Sequence, residues 1–307
     1  MSYLLKTPKF QTAFLLFFIF LTALIRQPSL SLLFRFLAGV GLAIGVDVLL
    51  QKIRKIKLFF PTAGIVTACI IVLVLAPNLP VMELVLVVIL AIVSKHFFRI
   101  DKKHIFNPAA FGLFFASVIF AHNVSWWATS FQQLSINNYQ LFFSFLILLS
   151  PGYISFVRVR RARIIFTFLA TYVLLNFILS RSFTLVDPTV LFFSLVMLPE
   201  PMTTPNSSSK QILYGIFVAC FSIIISSQFL NSRFLILNSS PDPLITSLLV
   251  GNLLFFIPLR LNFANFNKWV VYAYRSFQIE TFSKFNRLTK IKTKASLGII
   301  PPCNLKA

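Results

Sequence analysis

Apolar runs of 13 to 19 residues, each closed by charge or proline, recur along the whole chain. They predict ten helices, at 10–25, 32–50, 58–76, 81–93, 106–121, 141–157, 164–179, 184–198, 212–229 and 244–259. A helix that crosses the ~30 Å hydrocarbon layer of a bilayer needs about 20 residues, and several of these runs are shorter. The first run lacks a small-residue cleavage site and is followed at once by another, so it reads as a span and not as a signal peptide.

Basic residues fall between the runs and set an orientation, because Lys and Arg in short loops stay on the cytoplasmic side. With the N-terminus inside, 24 of the 28 basic residues lie in inside segments. Only Arg26, Arg181 and Arg233 fall outside, and Arg35 lies within the second run. Both termini are therefore expected in the cytoplasm. An odd number of spans would break this alternation.

Composition agrees. Hydrophobic residues make up 58% of the 307, charged residues 11%, and mean hydropathy is +0.87, whereas soluble domains are nearer ~45–50% apolar. Disorder and a disulfide scaffold are excluded by the scarcity of charge and by three cysteines. The net charge of +21 is spread over several loops with no nucleic-acid module beside it, so no nucleic-acid partner is expected. The fold class is an all-α polytopic membrane protein. A transmembrane domain covers 1–261, and 262–307 form a basic cytoplasmic tail whose Phe282, Phe285, Leu288 and Ile291 suggest an amphipathic helix on the inner leaflet. Trp126, Trp127 and Trp269 flank spans, where indoles anchor at the headgroup level.

Ten spans divide into two sets of five, and an odd set places any duplicate upside down. Phe60-Pro61-Thr62 opens the third span and Asp187-Pro188-Thr189 the eighth; Asn107-Pro108-Ala109 opens the fifth and Asp242-Pro243-Leu244 the tenth. Proline suits a first helical turn in any helix, so the echo is also what helix starts alone would give. If the halves are inverted repeats, these four positive helix ends approach the midplane from opposite sides.

Asp47 and Glu83 lie in or near apolar runs, where a carboxylate is costly. They either line an ion path or reach a surface or a base such as Lys52. Asp187 and Asp242 are placed to cap helices. No metal motif is present: Cys69 and Cys220 are isolated, and Cys303 is in the tail. His96 and His104 fall in one inside loop and His122 on the far side, which does not suit paired haem ligation. Nucleotide and hydrolase signatures are missing. Polar, helix-breaking residues interrupt the pattern at 103–112 and 198–205, where freed backbone groups need protein or a cavity, or where 200 onward is a surface turn.

The segments "HIFNPAAFG" (104–112), "MLPEPMTTP" (197–205), "QILYG" (211–215) and "LLVGNLL" (248–254), together with Gly152 to Arg163, resemble the NqrB/RnfD family, the membrane subunit common to sodium-translocating NADH:quinone reductase and the Rnf electron-transport complex. The likeness runs from about residue 30 to 261. It implies a flavin-dependent, ion-motive electron-transport subunit of the bacterial inner membrane, working with other membrane and cytoplasmic redox subunits. It implies FMN or riboflavin as cofactor, with Asn107, Glu200, Thr203 and Thr204 as flavin or ion contacts. Relatives carry FMN on the threonine of a Ser-Gly-Ala-Thr motif. The matching stretch here is Ser125-Trp126-Trp127-Ala128-Thr129, in which Trp127 replaces the glycine and Thr129 is the position of attachment. A channel or secondary transporter, or a structural subunit that has lost its flavin, are the rival readings.

Overall fold

The computed structural model describes residues 7–100, 103–120, 124–129, 138–180, 187–226 and 241–260, so Trp269, His122, Cys303 and the tail lie outside the described residues. Up to Phe256 the chain is one unit; the second unit, from Ile257, is outside them except for one helical turn. Ten helices are found among the described residues, in the predicted order. They are α1 (Pro8–Arg26), α2 (Leu30–Ile53), α3 (Thr62–Val74), α4 (Val81–Phe97), α5 (Pro108–Phe120), α6 (Asn138–Tyr153), α7 (Ala162–Ser180), α8 (Pro188–Phe192), α9 (Ser208–Ser226) and α10 (Pro243–Arg260). The chain is thus an all-α polytopic membrane protein.

Helix lengths sort by position. Helices α1, α2, α7 and α9 are long and apolar enough to cross a membrane. Helices α3 and α5, at 13 residues each, extend only about 20 Å at 1.5 Å per residue. Pro61 explains the late start of α3, four residues after the apolar run begins, since proline disfavours helix in the residue before it. Helix α4 instead continues four residues past its apolar run, to Phe97. A two-stranded hairpin, β1 (Arg99–Ile100) and β2 (Lys103–His104), then turns the chain back with Arg99 opposite His104.

Two helices loosen as they end. Helix α6 contains Pro151 and continues as a π-helix over Ile154–Arg158; α8 continues as one over Phe193–Met197. Such widened turns inside helices often mark functional sites. Here they face each other: Ser155 Oγ donates to the Leu195 carbonyl at 2.6 Å, and a Cβ on Gly152 would stand 2.9 Å from the Leu195 side chain.

Packing repeats between the halves. Helix α2 packs on α4 as α7 does on α9, and α1 on α3 as α6 does on α8. The third and fifth helices of each half form the interior. From Thr67 to Val74 every residue of α3 is buried. The outer helices expose large apolar side chains such as Phe14, Phe34, Leu37, Phe166 and Leu174, as lipid contact requires.

Candidate functional site

On the face that carries the basic segments, a cavity of about 110 Å³, partly open to the outside, lies between the two halves. It is smaller than the roughly 300–1,000 Å³ of a usual small-molecule site. The first half contributes Lys9 and Thr12 of α1, Ala63 and Thr67 of α3, Lys95 of α4, and His104, Asn107 and Pro108. Both short helices start here, so two sets of helix N–H groups and their positive dipole ends open toward it. The second half contributes Ser155 and Leu195 from the two π-helical turns, and Glu200 between Pro199 and Pro201.

Asn107 joins the halves. Its Oδ1 accepts from Ala110 N at 3.1 Å and caps α5, while its Nδ2 donates to the Met197 carbonyl at 3.1 Å, where α8 ends. His104 Nε2 meets Glu200 Oε1 at 2.9 Å. The other carboxylate oxygen, Oε2, is buried with no hydrogen-bond partner among the described residues. An unmatched acceptor at a cavity wall fits a ligand that brings a donor. Thr203 and Thr204 are placed differently: both hydroxyls donate to the Glu200 carbonyl, at 3.4 and 2.7 Å, so they shape the turn that presents Glu200. Arg161 secures that turn by donating to the Pro205 carbonyl and, at 2.7 Å, to Asn206 Oδ1. Burial lowers the Arg161 pKa from its ordinary value, yet a guanidinium stays charged near neutral pH.

A second cleft on this face shares Lys9, Lys95 and His104 with the first and reaches Asp47. Asp47 is almost fully buried, and its oxygens accept from Lys95 Nζ at 2.5 Å and His96 Nε2 at 2.6 Å. Arg54 Nη1 donates to the His96 carbonyl at 2.9 Å and lies 3.4 Å from His96 Nδ1. Because a guanidinium only donates, this contact makes Nδ1 the acceptor, leaving the ring proton on Nε2 to face Asp47. These contacts correct two expectations. Asp47 pairs with Lys95 and His96 and not with Lys52, and His96 is not in a loop but in the last turn of α4. Glu83 stands in the first turn of the same helix, about 18 Å from Lys95 along its axis, and lines neither cavity.

The opposite face carries a counterpart of Asn107, with one change. Asp242 caps α10 by accepting from Ile245 N at 3.0 Å, as Asn107 caps α5. Where Asn107 reaches the end of α8 directly, Asp242 reaches the end of α3 through Trp126. The Trp126 indole donates to Asp242 Oδ2 at 2.8 Å, and its backbone N–H to the Val74 carbonyl at 3.0 Å. Ser125 N, Ala128 N and the Trp127 indole take the other donor roles, to the carbonyls of Val74, Leu73 and Val72. The turn thus satisfies the C-terminal carbonyls that a short helix leaves within apolar surroundings. Trp126 and Trp127 are buried, and so are not interfacial anchors. Trp126 adopts φ 50°, a left-handed conformation costing roughly 1–3 kcal/mol for a bulky residue, which these bonds and its packing on Phe192 offset. Thr129 is fully buried, and its hydroxyl donates to the Trp126 carbonyl at 3.0 Å.

The structure therefore brings Asn107 and Glu200 to one cavity, uses Thr203 and Thr204 as supports, and sets Asp47 beside the cavity. Thr129 is near the opposite helix ends, and Asp187 caps α8 through Thr189 N at 2.8 Å. Lys95, His96, His104 and Arg54, which the sequence does not single out, complete the polar lining and the Asp47 cluster. The available signal was Asp47 itself: a carboxylate in an apolar run requires a base from another helix. A family model described as the NQR2, RnfD, RnfE family matches residues 6–255, most of the chain. A search of curated proteins gave no match. The chain belongs to this family, whose members are multi-pass membrane subunits of ion-translocating electron-transport complexes.

Proposed function

We propose that this member of the NQR2, RnfD, RnfE family is the flavin-binding subunit of a complex of the NqrB/RnfD type, in the bacterial inner membrane with both termini cytoplasmic. FMN or riboflavin would be held without a covalent bond between the halves, where the cavity of about 110 Å³ must widen to admit it. The observation that carries this reading is the cavity itself, bounded by two helix N-termini and by a carboxylate with one unmatched oxygen. Lys9, Lys95, His104 and the two helix ends favour an anionic phosphate or a group that becomes negative on reduction. Glu200 Oε2 would be free to accept from a donor on the ring, and Asn107 fixes the wall by joining α5 to α8. A bound flavin supplies electron transfer in one- or two-electron steps.

The other candidate position, Thr129, is less suited to the group. A threonine with no exposed surface and an internally bonded hydroxyl is unsuited to carry a phosphoester, and two indoles fill the space around its turn. Covalent attachment at Thr129 is therefore not part of the proposal. Purification in mild detergent after co-expression with neighbouring redox genes tests the reading. A flavin absorption band that leaves with the supernatant on acid precipitation is the expected result. No flavin, together with ion flux by the chain alone without a reductant, would favour the transporter reading.

A further inference from the structure

Asp47 is enclosed by three helices of the first half. Oδ2 holds the Lys95 ammonium and Oδ1 the His96 ring, and His96 is fixed in turn by Arg54. The first turn of α3 closes the remaining side: a Cβ on Gly64 would stand only 2.9 Å from Oδ2. A carboxylate so removed from water needs about one compensating positive charge, and the pair supplies it at hydrogen-bond distance.

We infer that the cation resident at Asp47 is the chain's own Lys95 ammonium, so that this carboxylate is a tethered-cation site and not a sodium site, and the charge it can exchange is a proton. Lys95 is the group that makes exchange feasible. Its side chain is 13% exposed and lines both cavities on the basic face, so a proton leaving Nζ passes to water there and returns by the same route. The groups that face the cluster are Lys9 from α1, Arg54 from α2, His96 from α4, Arg99 and His104 from the hairpin, and Glu200 after α8. Basic groups predominate among them, which further disfavours a second free cation beside Asp47. A sodium ion would require several oxygen ligands in place of the ammonium. Among the described residues, the two Asp47 oxygens are already committed to nitrogen donors.

The inference addresses the ion side of the proposed function, and its test does not depend on flavin. The purified full chain is melted in sodium chloride and in choline chloride of equal ionic strength. The unaltered protein should show no sodium-specific shift that depends on Asp47. Lys95→Gln removes the tethered charge and should unfold at lower temperature, by about 3 °C or more, in choline and in sodium alike. Lys95→Arg keeps a cation and should be indifferent to sodium. If Lys95→Gln does not fold, the unaltered chain and Asp47→Asn decide between them. Sodium-specific stabilisation that disappears in Asp47→Asn overturns the inference, and its absence supports it. A folded Lys95→Gln that melts at the temperature of the unaltered chain, or that sodium specifically restores, also overturns it.

Discussion

Replacing Asn107 by Ala removes two buried interactions at one point. The first is the cap on α5, Oδ1 to Ala110 N at 3.1 Å, and loss of an N-cap costs about 1 kcal/mol. The second is the bond from Nδ2 to the Met197 carbonyl, also 3.1 Å, whose loss strands a buried acceptor at a cost of about 1–3 kcal/mol. Together they amount to about 2–4 kcal/mol, if the surroundings do not relax to recover either. For a chain of 307 residues that corresponds to a fall in Tm of about 3–6 °C. Asn107→Asp divides the two effects: its carboxylate still caps α5 but cannot donate to Met197. Thermal unfolding in detergent, followed by near-UV circular dichroism, should rank the stabilities unaltered, then Asp, then Ala. A Tm for Asn107→Ala within about 1 °C of the unaltered protein would refute the role assigned to this side chain.

On the opposite face, Trp126→Phe takes a donor from Asp242 and should destabilise by about 1–3 kcal/mol; in a Trp269→Phe background the remaining indoles should resist an aqueous quencher. Glycine packing gives a paired test. Gly112→Ala would place a Cβ 2.8 Å from the Val87 carbonyl on α4 and should cost about 1–3 kcal/mol, whereas Gly41→Ala meets nothing within 4 Å and should stabilise its helix by about 0.5–1 kcal/mol. Glu200→Gln should lower coupled electron transport in the assembled complex while expression is kept, and unchanged turnover would remove this residue from the site. Thr129→Val should leave flavin content as it was, measured by extraction and fluorescence.

The helices were legible because lipid imposes a single periodic demand, long apolar runs, and the charges that punctuate them mark their ends. The helix starts at Asn107-Pro108 and Asp242-Pro243 were legible for the same local reason, a side-chain cap followed by a residue with no N–H to satisfy. Lys95 and His96 were not. A Lys-His pair after an apolar run reads as a loop, and only Asp47, 48 and 49 residues earlier, makes one more helical turn worthwhile. Trp126 and Trp127 misled in the opposite sense, because indoles at a span end usually meet headgroups. Here the end of α3 stops short, and its carbonyls take the indole and backbone donors instead. The π-helical turns left only Pro151 as a local trace, and the cavity they border depends on two helices distant in sequence.

The proposed redox group would occupy the hollow between the two halves. Thr12→Trp would project an indole from α1 into that hollow from a half-buried position. Flavin bound per chain is measured by acid extraction from the unaltered protein and from this variant, purified alike. Acid-extractable flavin in the unaltered chain, greatly reduced in a Thr12→Trp that unfolds at an unchanged temperature, is the predicted result. Equal flavin in both, or flavin that stays on the denatured polypeptide, would contradict it.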